Sequence, residues 1–198
     1  MIKRSFDIIV SISGLIIFSP VFLWIVIAIK LEDFGPIFYR AARTGLRKKN
    51  FNIFKFRSMI INADNVGGPT TSSNDPRVTN IGCKIRKYKL DELAQLINVF
   101  LGQMSLVGPR PEIPEEVETY SADCEIIFTV RPGITDFSSI EFRDEGGIIE
   151  RSGYADPHEA YRQIIQPRKL ELQKKYVQER SFLVDIKIIF RTLSVIFE

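Results

Sequence analysis

A chain of 198 residues, 45% hydrophobic and with a formal net charge of +3, suits one domain with an appendage and is too apolar to be disordered. Its two cysteines, Cys83 and Cys124, lie far apart without metal-type spacing, which argues against a disulfide scaffold or zinc site and fits a reducing compartment. His158 is the only histidine, so carboxylate or metal chemistry is favoured over a histidine-activated nucleophile.

Residues 8–29, IIVSISGLIIFSPVFLWIVIAI, form an apolar block without an internal charge. About 20 apolar residues suffice for a straight helix to cross a bilayer. The run is too long for a signal peptide, and no small-residue cleavage site follows it. Two features predict a different course. Ser19-Pro20 lies mid-block, where proline removes a backbone donor and kinks a helix, and Ser19 can offer a hydroxyl to the freed carbonyl. Lys3 and Arg4 precede the block and Lys30 follows it, which satisfies the positive-inside preference only if both ends lie on one side. The expectation is a re-entrant membrane helix over residues 1–31, kinked at Ser19 and Pro20, ahead of a cytosolic domain over residues 32–198.

From Phe34 to Ala63 there is no acid, while Arg40, Arg43, Arg47, Lys48, Lys49, Lys55 and Arg57 are interleaved with aromatics. Such a segment attracts polyanions. Membrane lipid headgroups and phosphorylated small molecules are the economical candidates; no nucleic-acid motif accompanies the charge, so nucleic acid is not expected. FKFRSM alternates apolar and basic residues like a half-buried strand with its cations on one face.

SSNDPRVTNIG reads as a loop. After it, Leu90, Leu93, Ile97, Phe100 and Leu101 recur at helical spacing and predict one buried face, with Asp91, Gln95 and Asn98 on a separate polar face. Gly102 fits a C-cap. The helix begins near Lys89 or Leu90, which puts Asp91 and Glu92 in its first turn. Acids there complement the helix dipole, and that alone explains many such pairs. Here cations surround them: Lys84, Arg86, Lys87 and Lys89 before, Arg110 after. Cations with exposed amide donors make a phosphate site, and acids within it imply a divalent cation.

Glu112, Glu115, Glu116 and Glu118 read as a solvated helix face. VRPGITDFSSIEFRDEGG predicts a turn at Pro132-Gly133, a strand-like piece and a loop at Gly146-Gly147, with Arg131 and Arg143 as possible ligand contacts. In the tail, Leu183, Ile186, Phe190, Leu193 and Phe197 share one side and Lys187 and Arg191 another, an amphipathic helix for the membrane interface or the protein core.

Taken in order, the helix with Ser19-Pro20, GPIFYR, KFRSM, NDPRVTNIG, LDELAQLINVFLGQMSLVGPRPE, RPGIT and DIKIIFRTL resemble the bacterial sugar transferases, the monotopic phosphoglycosyl transferases, over almost the whole chain. The resemblance implies a helix-rich α/β protein on the cytoplasmic face of the bacterial inner membrane. It implies transfer of a phosphosugar from a UDP-sugar to polyprenyl (undecaprenyl) phosphate, giving polyprenyl-diphospho-sugar and UMP, the first membrane step of glycan assembly. Asp91 would attack the β-phosphorus and form a covalent phosphosugar intermediate, and Glu92, with Asp91, would bind Mg²⁺. Lys55 and Arg110 match the family's KFR lysine and GPRP arginine, with Arg57, Arg86, Arg131 and Arg143 as further substrate contacts. Two stretches depart from the common pattern: KLDELAQL stands where many members have SLDELPQL, and PGITDFSSIEFRDEG where many have PGITGLAQVNGR. The rival reading is a membrane-anchored binding protein for anionic lipid or nucleic acid, without catalysis.

Overall fold

The computed structural model describes residues 2–67, 70–71 and 75–197. Ser72, Ser73 and Asn74 of the expected loop, and the side chain of Phe197, lie outside the described residues. The architecture is helix-rich α/β with two small two-stranded sheets among the described residues.

Helices α1 (Ile2–Ile17) and α2 (Ser19–Asp33) meet at a bend of 59°. Neither is long and apolar enough to cross a membrane alone. Pro20 has no N–H for the carbonyl of Ile16, and the Ser19 hydroxyl donates to that carbonyl at 2.7 Å. The kink and its repair are both as the sequence predicts. The two outer ends of the pair are fastened to the same body. At the start of α1, Lys3 donates to the Val107 carbonyl and pairs with Asp185, and Arg4 donates to the carbonyls of Val99 and Phe100. At the end of α2, Asp33 pairs with Arg57, and Glu32 accepts from the amides of Asn80 and Ile81.

Strands β1 (Phe38–Thr44) and β2 (Asn50–Phe56) form an antiparallel hairpin, in register from Phe38–Phe56 to Thr44–Asn50. Helix α3 (Asn80–Lys87), a 3-10 turn over Leu90–Ala94 and α4 (Gln95–Phe100) follow. Strand β3 (Ser105–Val107) then pairs in parallel with β4 (Gly133–Thr135). Gly108 and Gly133 allow this pairing, since a Cβ on Gly133 would lie 2.0 Å from the Gly108 nitrogen. Short helices α5 (Pro114–Val117), α6 (Phe137–Glu141), α7 (Glu145–Arg151) and α8 (Pro157–Ala160) surround the longer α9 (Gln166–Glu179), and α10 (Phe182–Phe197) follows. Ile53, Val99, Met104, Val107, Tyr176 and Ile188 knit the hairpin, α4, β3, α9 and α10 into one core. A second core joins Ile25 and Ile29 of α2 to Phe56, Ile85 and Ala94, so the bent pair packs against the elements around Asp91.

Three expectations are corrected. Helix α4 buries its polar side: Gln95 and Asn98 are buried, as is Asp91 in the preceding turn, while Phe100 and Leu101 are exposed. Helix α10, by contrast, keeps to its amphipathic pattern, burying Asp185 and Ile188 on one face and leaving Leu183 72% and Phe190 69% exposed on another. Glu116 is not solvated but buried, held by Arg162, Gln166 and His158. Gly146-Gly147 is not a loop: Asp144 caps α7 by accepting from the Gly147 amide, which draws both glycines into the helix.

Candidate active site

The site is built where α3 ends and the chain restarts. Lys89 adopts a left-handed backbone (φ 55°), uncommon for a residue with a side chain, and this reversal starts the 3-10 turn that carries Asp91 and Glu92. Asn98 fixes that turn against the hairpin. Its side-chain amide accepts from the Phe54 amide at 2.8 Å and donates to the Asn52 carbonyl at 2.8 Å, imitating a further strand beside β2. The next residue of β2, Lys55, therefore meets Glu92 at 2.9 Å. Gly102, in the left-handed region at φ 80°, closes α4 as expected and turns the chain into β3. Beyond β3 the GPRP segment delivers Arg110, whose guanidinium embraces Glu92 through both Nη atoms, one at 3.1 Å from Oε2.

The neighbouring carboxylates are treated in opposite ways. Glu92 is gripped by two cations. Burial raises its pKa, but Arg110 and Lys55 outweigh that effect and hold it well below the usual carboxylate range. Among the described residues, Asp91, 8% exposed, makes no ion pair, and its buried Oδ1 has no hydrogen-bond partner. Burial raises its pKa above the ordinary aspartate value; Lys55 opposes the rise and the Glu92 charge adds to it. Arg86 and Lys89 contribute positive potential at Asp91. The Gln95 Nε2, one helical turn on, is also buried and unpartnered. An unpaired buried carboxylate oxygen and, four residues on, an unpaired buried amide donor are each costly, and such costs concentrate where a ligand completes the set.

A buried charge network backs Arg110. Glu112 accepts from Tyr161 at 2.6 Å and pairs with Lys169 at 3.3 Å. Burial raises the Glu112 pKa, but Lys169 and the Tyr161 hydroxyl outweigh it and bring it to about 2. Gln173 of α9 donates to the Arg110 carbonyl at 3.3 Å, fixing the backbone that aims the guanidinium.

Of the residues expected at the site, the structure brings together Asp91, Glu92, Lys55 and Arg110, with Arg86 near enough to act on Asp91. Arg57 instead lies buried on Asp33 beneath Gly35, anchoring α2 to the end of β2. Arg131 donates to the Gly102 carbonyl at 2.8 Å and faces another cavity, and Arg143 is exposed on the surface. Asn98, Glu112, Tyr161, Lys169 and Gln173 were not assigned site roles from the sequence. For Asn98 a signal was present, its place at i+7 on the face of Asp91.

The donor set suits Mg²⁺. Among the described residues no group of three or more His, Cys, Asp or Glu converges, but Mg²⁺ is commonly held by one or two carboxylates completed by water and substrate phosphate. The unpartnered Asp91 Oδ1 and the remaining lone pair of Glu92 Oε2 provide that minimum.

The profile of the family described as Bacterial sugar transferase matches residues 1–198. The chain belongs to that family. Among curated members, Exopolysaccharide production protein ExoY of Sinorhizobium fredii is 36% identical over 209 residues, covering 98% of this chain and 84% of ExoY. The Undecaprenyl-phosphate glucose phosphotransferase of Komagataeibacter xylinus is 37% identical, covering 97% of this chain and 35% of that protein. The UDP-glucose:undecaprenyl-phosphate glucose-1-phosphate transferase of Escherichia coli is 35% identical, covering 98% of this chain and 39% of its own length. The sugar transferase chain thus matches most of ExoY and a minority of the two larger transferases.

Proposed function

We propose that this bacterial sugar transferase moves a sugar phosphate from a UDP-sugar to undecaprenyl phosphate through a covalent intermediate on Asp91. The observation that carries the reading is the asymmetry of the pair: Asp91 has a free buried oxygen, while Glu92 is clamped between Lys55 and Arg110. In the first step an Asp91 carboxylate oxygen attacks the β-phosphorus. The Asp91 O–P bond forms, the bond from that phosphorus to the bridging oxygen breaks, and UMP leaves with that oxygen. In the second step a phosphate oxygen of the lipid attacks the same phosphorus and the Asp91 O–P bond breaks. Polyprenyl-diphospho-sugar departs, and the carboxylate is restored. No proton need be removed from the nucleophile, which suits a site without a histidine. Lys55 and Arg110 hold Glu92 and supply positive charge where the diphosphate oxygens lie; phosphoryl transfer depends chiefly on such positioning and neutralisation. Mg²⁺, held by Asp91 and Glu92, would add charge neutralisation at the diphosphate.

The reading of a re-entrant α1–α2 pair on the cytoplasmic face of the inner membrane rests on its bend and on the fastening of both ends to one body. A pair so tied cannot place its ends on opposite sides of a bilayer unless the body spans it. The outward apolar faces of α2 (Leu23, Trp24, Ile27), α4 (Phe100, Leu101) and α10 (Leu183, Phe190, Leu193) fit a lipid surface.

The test is UMP release by purified protein with Mg²⁺ and undecaprenyl phosphate across a panel of UDP-sugars, beside intact-protein mass after incubation with donor alone. The expected result is lipid-dependent steady turnover, and a sugar-phosphate adduct on wild type that Asp91→Asn lacks. Undiminished turnover by Asp91→Asn would overturn the mechanism. Steady turnover without lipid would replace transfer with hydrolysis.

A further inference from the structure

One cavity of the molecule lies away from the carboxylate pair. It encloses about 520 Å³, within the range of small-molecule sites, between the start of α1, the turn joining β1 to β2, β3 and the junction of α9 with α10. Its lining is cationic: Lys3, Arg4, Arg47, Arg131 and Arg180 face two acids, Asp7 and Asp185. Both acids are already engaged. Asp185 pairs with Lys3 and accepts from Tyr176 at 2.7 Å, while Asp7 accepts from the Ser105 hydroxyl at 2.9 Å and the Leu106 amide at 3.1 Å. Among the described residues Arg4 and Arg131 bond only to backbone carbonyls, so neither is held in an ion pair. Arg47 and Arg180 make no hydrogen bond or ion pair among the described residues, and both are exposed at the cavity. Arg47 sits there by way of an uncommon backbone, since it and Lys48 take φ values of 55° and 57° in succession.

We infer that this cavity is a second binding site, for a phosphate-bearing anion, separate from Asp91 and Glu92. The separation follows from the hairpin register. Lys55 pairs with Tyr39 near one end, whereas Arg47 lies beyond the Thr44–Asn50 pair at the other, about 17 Å away at the rise of an antiparallel strand. Four arginines that form no ion pair among the described residues, around a concavity whose two acids are bonded to other groups, suit phosphate oxygens, which arginine binds through paired N–H groups. The Ser105 hydroxyl and Tyr176 on the floor face Asp7 and Asp185, so the floor is satisfied and the open donors are those of the rim. Such a phosphate belongs either to a membrane phospholipid or to a soluble compound. Phe182 at the edge and the exposed Ile2 and Leu183 next to lining residues set apolar side chains beside the arginines, which suits a headgroup with its chains alongside.

The test uses the full chain in detergent, with Arg47→Gln/Arg180→Gln compared with Arg151→Gln/Lys175→Gln, which removes the same charge elsewhere. Co-sedimentation with phosphatidylcholine vesicles, with and without phosphatidylglycerol, reads the lipid source. Calorimetric titration with inorganic pyrophosphate reads the soluble one. The cavity variant is expected to lose about tenfold or more of the preference for phosphatidylglycerol, against about twofold for the control. Arg47→Lys/Arg180→Lys should restore most of it, and UMP release in detergent should stay near wild type. If only pyrophosphate binding is lost, selectively in the cavity variant, the site stands with a soluble ligand. If cavity and control variants behave alike in both arms, the inference is wrong.

Discussion

The hairpin of β1 and β2 carries a cationic cluster at each end, and the two differ in what their cations hold. At the Lys55 end, Lys55 and Arg110 close on Glu92, and the neighbouring Asp91 keeps a free oxygen in a buried, positive setting. At the Arg47 end the acids are satisfied by other groups, and the arginines stand open. Removing a cation from the first cluster therefore strands a buried carboxylate, whereas removing Arg47 or Arg180 from the second strands none. The number of basic residues is similar; the consequence of losing one is not.

The largest effect should come from the residue the first cluster serves. Asp91→Asn is expected to lower UMP release by about a thousandfold or more, as loss of a covalent nucleophile does. Its melting temperature should hold or rise by a few degrees, because burial already disfavours the Asp91 charge. A matching loss of stability would show that Asp91 is structural. Arg110→Met should come next, with stability reduced by about 3 kcal/mol in urea unfolding and activity down about a hundredfold, because Glu92 would keep only Lys55.

The third prediction uses pH. On the proposed mechanism Asp91 must be ionised to attack, so adduct formation should fall on acidification, with burial raising the midpoint and Lys55 opposing the rise. Lys55→Met removes the cation that opposes the rise, so the midpoint should move further up; a midpoint that stays or falls would break the assignment. Stability itself should respond through Glu112. Its folded pKa of about 2 lies below the ordinary 4.5, so its contribution is fully present above about pH 4.5 and lost as pH falls toward 2. Acid unfolding of Glu112→Gln should accordingly be flatter over that window. The smallest effect belongs to the second cluster. Arg47→Gly relieves a left-handed backbone and removes no partner, so stability should rise by up to about 1 kcal/mol, measured by urea unfolding.

The sequence made the pieces of the first cluster legible. LDEL at a helix start, lysine in KFR and arginine in GPRP are local signals, and the Ser19-Pro20 kink follows from proline lacking an N–H. What stayed hidden was which way the helices turn. Periodicity detected both faces of α4 and α10 but not what each face meets. A rule that sends apolar residues inward fails when Phe100, Leu183 and Phe190 turn out and Asn98 and Asp185 turn in. Glu116 illustrates the other gap: its partners Arg162 and Gln166 lie 46 and 50 positions away, beyond any local pattern. The second cluster was invisible for the same reason, since Lys3, Arg47, Arg131 and Arg180 meet only through tertiary structure.

The bond between Lys3 and Asp185 spans 182 positions of sequence. A ribosome adding about 5–20 residues per second needs roughly 10–40 seconds to make the second partner after the first. For the first part of that interval, until Phe56, Ile85 and Ala94 are made, α2 lacks the residues that cover its buried face. On the proposed re-entrant seating, lipid would cover the pair during that time, and the body would assemble on helices already settled there. On that proposal, the protein is better made beside a membrane than delivered to one.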